Sequence, residues 1–352
     1  MSSGLGLAVV ASEIGAWREV LSLAPPPSPC PAPGEGELQV RVLSCGLAFP
    51  DVLTVEGKHI QKKAAPFVPA SEVCGIISAV GAGVTSAFGF REGDRVFGTT
   101  NSGGLRQHTI LPAMGAYKLP DGVGVDVGAG FELNYGTTFH GLVDLGRLRA
   151  GETLLVLGAS GGVGMAAIDI GVALGAEVVA CASTAAKLAA CEKAGAATLV
   201  NYAEGDFKQA LKDVGVYGSV DVVFDPVGGK FSETAMRSLG WGGRHVVVGF
   251  AAGGANPKSA IPRFPLNLAL LNEREILGCF WGAWKFRDGN ETNRKNIDRC
   301  LEMVRSGKMN PVVSHTYALA DYASAFDAMM SRRVVGKITI KVGDDDATAS
   351  KL

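Results

Sequence analysis

The sequence predicts an α/β protein, with a mostly-β part joined to a doubly wound parallel sheet. Two textures and one motif predict this. Up to about residue 125, runs of strand length are separated by Gly and Pro turns, with almost no helical periodicity. Beyond it, apolar runs of strand length alternate with helix-length segments, the order of a parallel sheet wound on both faces. The motif is GETLLVLGASGGVGMAAIDIGVALGAEVVACAS, Gly151 to Ser183, where strand, tight turn, helix and strand follow one another.

In chain order, Pro25 to Pro33 is a Pro-rich loop, and Gly36 to Leu43 alternates like a strand with one wet face. Phe49 to Val55 reads as a short helix with Pro50 in its first turn and Asp51 as a helix-start residue. Val73 to Val80 and Asp94 to Phe97 are further strands. In the second texture Thr153 to Leu157, Val178 to Cys181, Ala197 to Tyr202, Val220 to Phe224, His245 to Phe250 and Ile276 to Phe280 are strands. Helices are expected over Met165 to Leu174, Thr184 to Ala194, Asp206 to Val214 and Lys230 to Leu239. Two more, Asn293 to Ser306 and Asp321 to Met330, precede a last strand at Lys337 to Val342. The expected domains are 1–125 with 285–352, and 126–284.

The turn itself reads Gly158-Ala-Ser160-Gly161-Gly162-Val163-Gly164. Glycines there allow a tight turn and let backbone N–H groups approach a pyrophosphate, while the following helix offers the positive end of its dipole. Set between a strand and a helix, with a second strand after, the turn points to a dinucleotide. An ordinary tight loop is the alternative.

The chain has 352 residues, 47% hydrophobic and 19% charged, with a formal net charge of −1, which predicts a compact fold and argues against a polyanion-binding surface. Cys30, Cys45, Cys74, Cys181, Cys191, Cys279 and Cys300 are scattered without a C-x-x-C, as expected of free thiols in a reducing compartment. No apolar run has the length of a membrane span, and MSSGLGLAVV lacks the features of a signal peptide. The chain closes on Ser350, Lys351 and Leu352, the address read by the peroxisomal import receptor, so a peroxisome or a specialised peroxisome (glycosome) is expected.

With those flanks in view, the chain resembles the zinc-free quinone oxidoreductase (zeta-crystallin-like) branch of the medium-chain dehydrogenase/reductase family. The resemblance is carried by Phe49-Pro-Asp-Val-Leu, Pro66-Phe-Val-Pro-Ala-Ser-Glu-Val-Cys-Gly, Gly93-Asp-Arg-Val and Asn134-Tyr-Gly-Thr-Thr-Phe-His. It continues in the Gly158-x-x-Gly161-x-x-Gly164 turn, Asp225-Pro-Val-Gly-Gly, Gly249-Phe-Ala, Phe280-Trp-Gly and Val335-Gly-Lys. It implies a GroES-like catalytic domain built from both chain ends around a Rossmann domain, and a homodimer paired along the sheet edge near Ile276 to Phe280. Zinc relatives place a ligand where Cys45 stands and have Gly-His-Glu where Ala70-Ser71-Glu72 stands. With no imidazole there and no four-cysteine lobe, no metal is expected.

The second strand of the motif ends Cys181-Ala-Ser183-Thr184, with no acid to hold a ribose 2′-hydroxyl, and Lys187 follows. A hydroxyl and an ammonium there favour a 2′-phosphate and so NADPH, against the alternative of a solvated helix face for Lys187. The resemblance adds Tyr202 to the phosphate pocket, and Thr137, Val227, Gly249, Phe250, Ala251, Phe280, Trp281, Gly282 and Lys337 to the cofactor contacts. Phe250 and Phe280 read equally well as core aromatics. For the acceptor pocket the resemblance implies Phe49, His59, Tyr135, Phe280 and Trp281. Ala48 and His59 replace an Asn and a Tyr usual in the family. His59 is the one candidate proton donor, with an exposed loop histidine as the alternative.

A zinc-free site favours acceptors that take hydride readily, a quinone or an α,β-unsaturated carbonyl. Two other functions are compatible with these residues. One is a trans-2-enoyl-CoA reductase, with Lys58, Lys62 and Lys63 as a rim for phosphates; a solvated loop explains those lysines equally well. The other is a low-turnover NADPH-binding protein.

Overall fold

The computed structural model describes residues 6–254 and 256–344; Ser350, Lys351 and Leu352 lie outside the described residues. The chain divides into two compact units, Met1–Leu133 with Val313–Leu352, and Asn134–Val312.

The first unit is built on the strand Glu37–Leu47. Its first half pairs with His108–Pro112, Glu37 opposite Pro112, and its second half with Lys337–Lys341, Leu47 opposite Ile338. Glu72–Val80 runs along its other side, with register shifts at Gln39/Val40 and Val42/Ser44. Such bulges twist and bend a strand, which lets one strand serve two partners in turn. The strand expected to stop at Leu43 therefore continues through Ser44, Cys45 and Gly46 without the alternation, all three being buried. Arg95–Thr99 and Ala116–Lys118 extend the sheet on one side, and Val313–Ala318 ends it on the other. Beneath it pack Val42, Cys45, Leu47, Val52, Val73, Phe326, Ile338 and Ile340.

The second unit holds one parallel sheet of six strands: β1 (Thr153–Leu157), β2 (Glu177–Ala182), β3 (Thr198–Asn201), β4 (Val220–Asp225), β5 (Leu239–Val247) and β6 (Glu275–Gly278). Their order is β3-β2-β1-β4-β5-β6, so the winding reverses between β1 and β4. That reversal opens a crevice at the carboxyl ends of β1 and β4, where open α/β sheets bind ligands. The crossover helices are α1 (Gly162–Ala173), α2 (Ala185–Lys193), α3 (Phe207–Asp213) and α4 (Lys230–Ser238). Helix α1 has no polar stripe because residues from Gly164 to Gly171 are buried all round it.

The division differs from the expected one at both joints. Residues 126–133 belong to the first unit: Asp126 accepts from Ser44 and Thr339, and Gly46 lies too close to the Ala129 carbonyl to carry a Cβ. Residues 285–312 belong to the second. Helix α5 (Trp281–Arg287), not foreseen, packs against α6 (Asn290–Arg305), where Trp281 Nε1 donates to Asn293 Oδ1 at 2.7 Å. Asn296 Nδ2 donates to Asp144 Oδ2 at 2.9 Å and ties α6 to the start of the same unit.

Candidate functional site

In the second unit β1 feeds directly into the glycine-rich turn. Gly158 has φ +59°, the left-handed region glycine favours, and a Cβ there would stand 2.7 Å from Val227 Cγ2. A Cβ on Gly164 would stand 2.4 Å from the Gly158 carbonyl oxygen and 2.6 Å from that of Ala159. Gly161 caps α1, whose first turn carries no acidic residue. The N–H groups of that turn have no intrahelical acceptor, and Ser160, Gly161, Gly162 and Val163 surround them. Asn134 flanks Gly162, and sequence reasoning gave it no role. This is a cradle for an anion, with glycines where side chains would fill it.

At the end of β2, Ser183 is half-buried and accepts a hydrogen bond from Lys187 Nζ at 3.4 Å. Thr184 N-caps α2 by accepting from the Lys187 N–H at 3.3 Å, which places the lysine in the first helical turn. The expected hydroxyl and ammonium are thus together, at the carboxyl end of the second strand. Tyr202 follows β3, its N–H donating to the Ala182 carbonyl at 3.1 Å. Its ring centroid lies 4.5 Å from that of Phe231 and 6.3 Å from that of Phe207, so the tyrosine is braced by an aromatic group.

The turns after β4 and β5 meet each other. Ala251 N–H donates to Pro226 O at 3.1 Å and Ala252 N–H to Val227 O at 2.9 Å, which brings Val227 beside Gly249, Phe250 and Ala251. Asp225, at the end of β4, accepts from the N–H groups of Val227 and Gly228 at 2.9 and 2.8 Å. Its Asp-Pro-x-Gly-Gly context is the signal for such a turn, but sequence reasoning assigned it no task.

Thr137 starts a short helix, Thr137–Phe139, between two π-helical stretches, Glu132–Gly136 and His140–Leu145. Cys279 Sγ donates to the Thr137 carbonyl at 3.5 Å, and a Cβ on Gly136 would stand 2.8 Å from the Trp281 ring. Thr137 and Trp281 are therefore neighbours. Phe280 is 56% exposed, Gly282 is half-buried, and Trp281 is buried with its indole N–H committed to Asn293. Tyr135 is a correction: it is 4% exposed and its hydroxyl donates to Asp169 on α1 at 2.5 Å, so it faces the interior of the second unit and not an acceptor pocket. Burial and the Asp169 carboxylate push its phenol well above the usual range.

In the first unit Phe49 opens the helix Phe49–Val55 and is half-buried. Asp51 caps that helix as expected, accepting from Ala48 N–H at 2.8 Å, and Ser71 Oγ lies 3.5 Å from its other oxygen. Burial pushes the Asp51 carboxyl up to about 7, against the pull of the Ala48 N–H and the Lys337 charge. His59 lies in the loop after the helix, half-buried; its Nδ1 accepts from Gln61 N–H at 3.2 Å, which leaves the proton of the neutral ring on Nε2. Lys337 is a second correction. Its ammonium is buried in an ion pair with Glu72, a contact inside the first unit, so it does not serve as an open basic group for a cofactor.

Comparison with known proteins agrees with this architecture. Residues 34–121 match the alcohol dehydrogenase GroES-like domain family, and 162–309 the zinc-binding dehydrogenase family. A quinone oxidoreductase-like protein 2 homolog from Nematostella vectensis is 32% identical over 306 residues, 86% of this chain and 81% of its own length. Among solved structures, mycobacterial Rv1454c complexed with NADPH superposes with a TM-score of 0.84 at 27% identity, over 95% of this chain and 99% of that one. The quinone oxidoreductase from Thermus thermophilus, also solved with NADPH, gives 0.79 at 28% identity, over 95% and 99%.

Zinc, in the name of one matched family, does not fit the residues present. Ala70-Ser71-Glu72 offers no imidazole. Both Glu72 oxygens are occupied, by Leu133 N–H at 2.8 Å and by Lys337. Cys45 is buried, with its thiol pushed well above the usual range chiefly by burial. Among the described residues no group of three or more His, Cys, Asp or Glu could hold a metal.

Proposed function

The chain belongs to the medium-chain dehydrogenase/reductase family, as a quinone oxidoreductase-like, NADPH-dependent oxidoreductase, and from that premise we propose that it transfers hydride to a quinone or an α,β-unsaturated carbonyl without zinc. The observation that carries this is the anion cradle at Gly158–Gly164 with Ser183 and Lys187 paired at the end of the neighbouring strand.

When bound, NADPH supplies the hydride. The first turn of α1, with Ser160 and Val163, holds the pyrophosphate by backbone N–H groups. Ser183 and Lys187 hold the 2′-phosphate, and Tyr202 walls that pocket. Val227 and Gly249 to Ala251 flank the nicotinamide ribose, and Thr137 with Phe280 to Gly282 orient the nicotinamide. For the acceptor the second unit offers Phe280 and Trp281, and the first unit, taken by itself, offers Phe49 and His59. With no Lewis acid to polarise a carbonyl, the acceptor itself must spread the arriving charge onto a distant oxygen. Within the first unit, His59 carries its proton on Nε2 and is the candidate for a hydrogen bond or a proton.

Several partners follow. The terminal Ser350-Lys351-Leu352 engages the peroxisomal import receptor, and the protein resides in peroxisomes or glycosomes. A homodimer forms along β6, where Ile276 is exposed and Leu266 and Leu270, just before it, are 82% and 79% exposed.

The test follows oxidation of NADPH and of NADH against 1,4-benzoquinone, 9,10-phenanthrenequinone, a 2-alkenal and a trans-2-enoyl-CoA. NADPH-dependent turnover of a quinone or the alkenal is the expected result. Preference for the CoA ester would instead assign an enoyl-CoA reductase and give Lys58, Lys62 and Lys63 a role. Tight NADPH binding with no turnover would replace the reductase by a binding protein.

A further inference from the structure

The end of β4 carries a buried arrangement that hydride transfer as described does not use. Asp225 is 1% exposed, and its carboxylate has four partners, two backbone N–H groups and two side chains. Oδ1 accepts from the N–H groups of Val227 and Gly228 at 2.9 and 2.8 Å. Oδ2 accepts from Ser232 Oγ at 2.5 Å and from His245 Nε2 at 3.2 Å. The main-chain carbonyl of the same residue accepts from Val248 and Gly249 N–H at 2.8 and 3.3 Å. One residue thus holds both the turn after β4 and the turn after β5.

His245 is 0% exposed near the carboxyl end of β5, beside Val223 and on the face that Asp225 shares. Its ring stands on Phe264 at 5.4 Å between centroids, and its Nδ1 has no hydrogen-bond partner. A buried nitrogen without a partner destabilises a fold, a cost that an apolar residue at this position would avoid. What the imidazole adds is the bond from Nε2 to Asp225. Burial pushes the Asp225 carboxyl up, and the hydrogen bonds and charge of His245 with those of Gly228 and Ser232 outweigh it, so the group is held below its ordinary range as a carboxylate.

We propose that Asp225 and His245 are positioning residues for hydride transfer: His245 fixes the Asp225 carboxylate, which fixes Val227 and Gly249 to Ala251 against the nicotinamide half of NADPH, and neither residue touches the cofactor. This rests on the reading that those two turns contact NADPH. The cradle and the hub are joined through Val227, whose side chain would collide with any Cβ on Gly158.

The experiment uses the full chain and three readouts: NADPH affinity by nucleotide fluorescence, single-turnover hydride transfer to 9,10-phenanthrenequinone, and the urea midpoint. Val227→Lys tests the premise alone. It should weaken NADPH binding at least about tenfold, and a wild-type affinity would remove the contact reading whatever His245 does. His245→Phe keeps the ring and the Phe264 contact but removes the donor. Hydride transfer should slow by about tenfold or more, because a small displacement of the turn spoils alignment. His245→Gln, whose amide still donates to Oδ2, should recover most of that loss. If His245→Phe does not fold, Ser232→Ala removes the other donor to Oδ2 and should slow transfer in the same direction. Equal loss of urea midpoint in the Phe and Gln variants, with wild-type affinity and transfer rate in both, would overturn the proposal. So would a wild-type rate in Ser232→Ala together with an unrescued His245→Gln.

Discussion

Lys337 and Glu72 neutralise each other inside the first unit, their side chains 5% and 2% exposed, although they stand 265 residues apart in sequence. The pair joins the last strand of the chain to the strand Glu72–Val80 without direct backbone pairing between them. Lys337→Met leaves the carboxylate buried and unpaired, and should destabilise the protein by about 3–5 kcal/mol. Glu72→Leu combined with Lys337→Met should restore most of it. Urea denaturation of the two variants checks both outcomes. NADPH affinity of the folded Lys337→Met protein should stay at wild type, since the ammonium is already engaged.

Asp51 gives stability a pH dependence of unusual sign for a carboxylate. Its pKa is raised from 3.8 to about 7 in the fold, so the folded protein keeps a proton that the unfolded chain has released. The stability this contributes is full below about pH 4, declines as pH rises, and is gone above about pH 7. Asp51→Asn cannot titrate and keeps an acceptor for Ala48 N–H. Between about pH 5 and about pH 8 the variant should gain roughly 2–3 kcal/mol relative to wild type, as read by parallel urea melts.

Cofactor choice should turn on two side chains. Lys187→Ala should weaken NADPH binding by roughly tenfold to a hundredfold and leave NADH nearly unchanged. Ser183→Asp places a carboxylate where the 2′-phosphate lies and should reverse the preference toward NADH. Comparing kcat/KM for the two nucleotides decides it; equal use of both by wild type would remove the assigned role of this corner.

Tyr135 separates a structural from an acceptor-binding role. Tyr135→Phe deprives the Asp169 carboxyl, itself raised by burial, of the phenol that lowers it, and leaves it the Asn310 backbone. A loss of about 1–3 kcal/mol in stability is expected, with no change in KM for any acceptor. A raised acceptor KM without loss of stability would return Tyr135 to the pocket.

The parallel sheet and its cradle were legible because their signals are local. Thr153 to Leu157 is a bare apolar run, the glycines sit in one turn, and Ser183 and Lys187 lie one helical turn apart. The errors concern side chains whose partners are distant. Nothing around Lys337 announces Glu72, and nothing in His245 to Phe250 announces that β5 sets its histidine on the same face as Asp225. Tyr135 falls in a stretch wound as a π-helix, where the usual 3.6-residue periodicity does not tell which way a side chain points. The strand Val313–Ala318 escaped because it is a sheet edge with His315 and Thr316 exposed, so it lacks an apolar pattern.

Strand Lys337–Lys341 sits between Val313–Ala318 and Glu37–Leu47 in the first sheet. On the ribosome this sets an order of completion. The flank of Glu37–Leu47 that carries Ser44 to Leu47 must wait, unpaired, while the whole second unit is synthesised. The six strands of that second unit are contiguous within Asn134–Val312 and pair only with one another. The segment begun first is thus finished last, and until then its open strand edge can pair with another chain. A chain released before Lys337 would carry a full parallel sheet and an antiparallel one missing an inner strand.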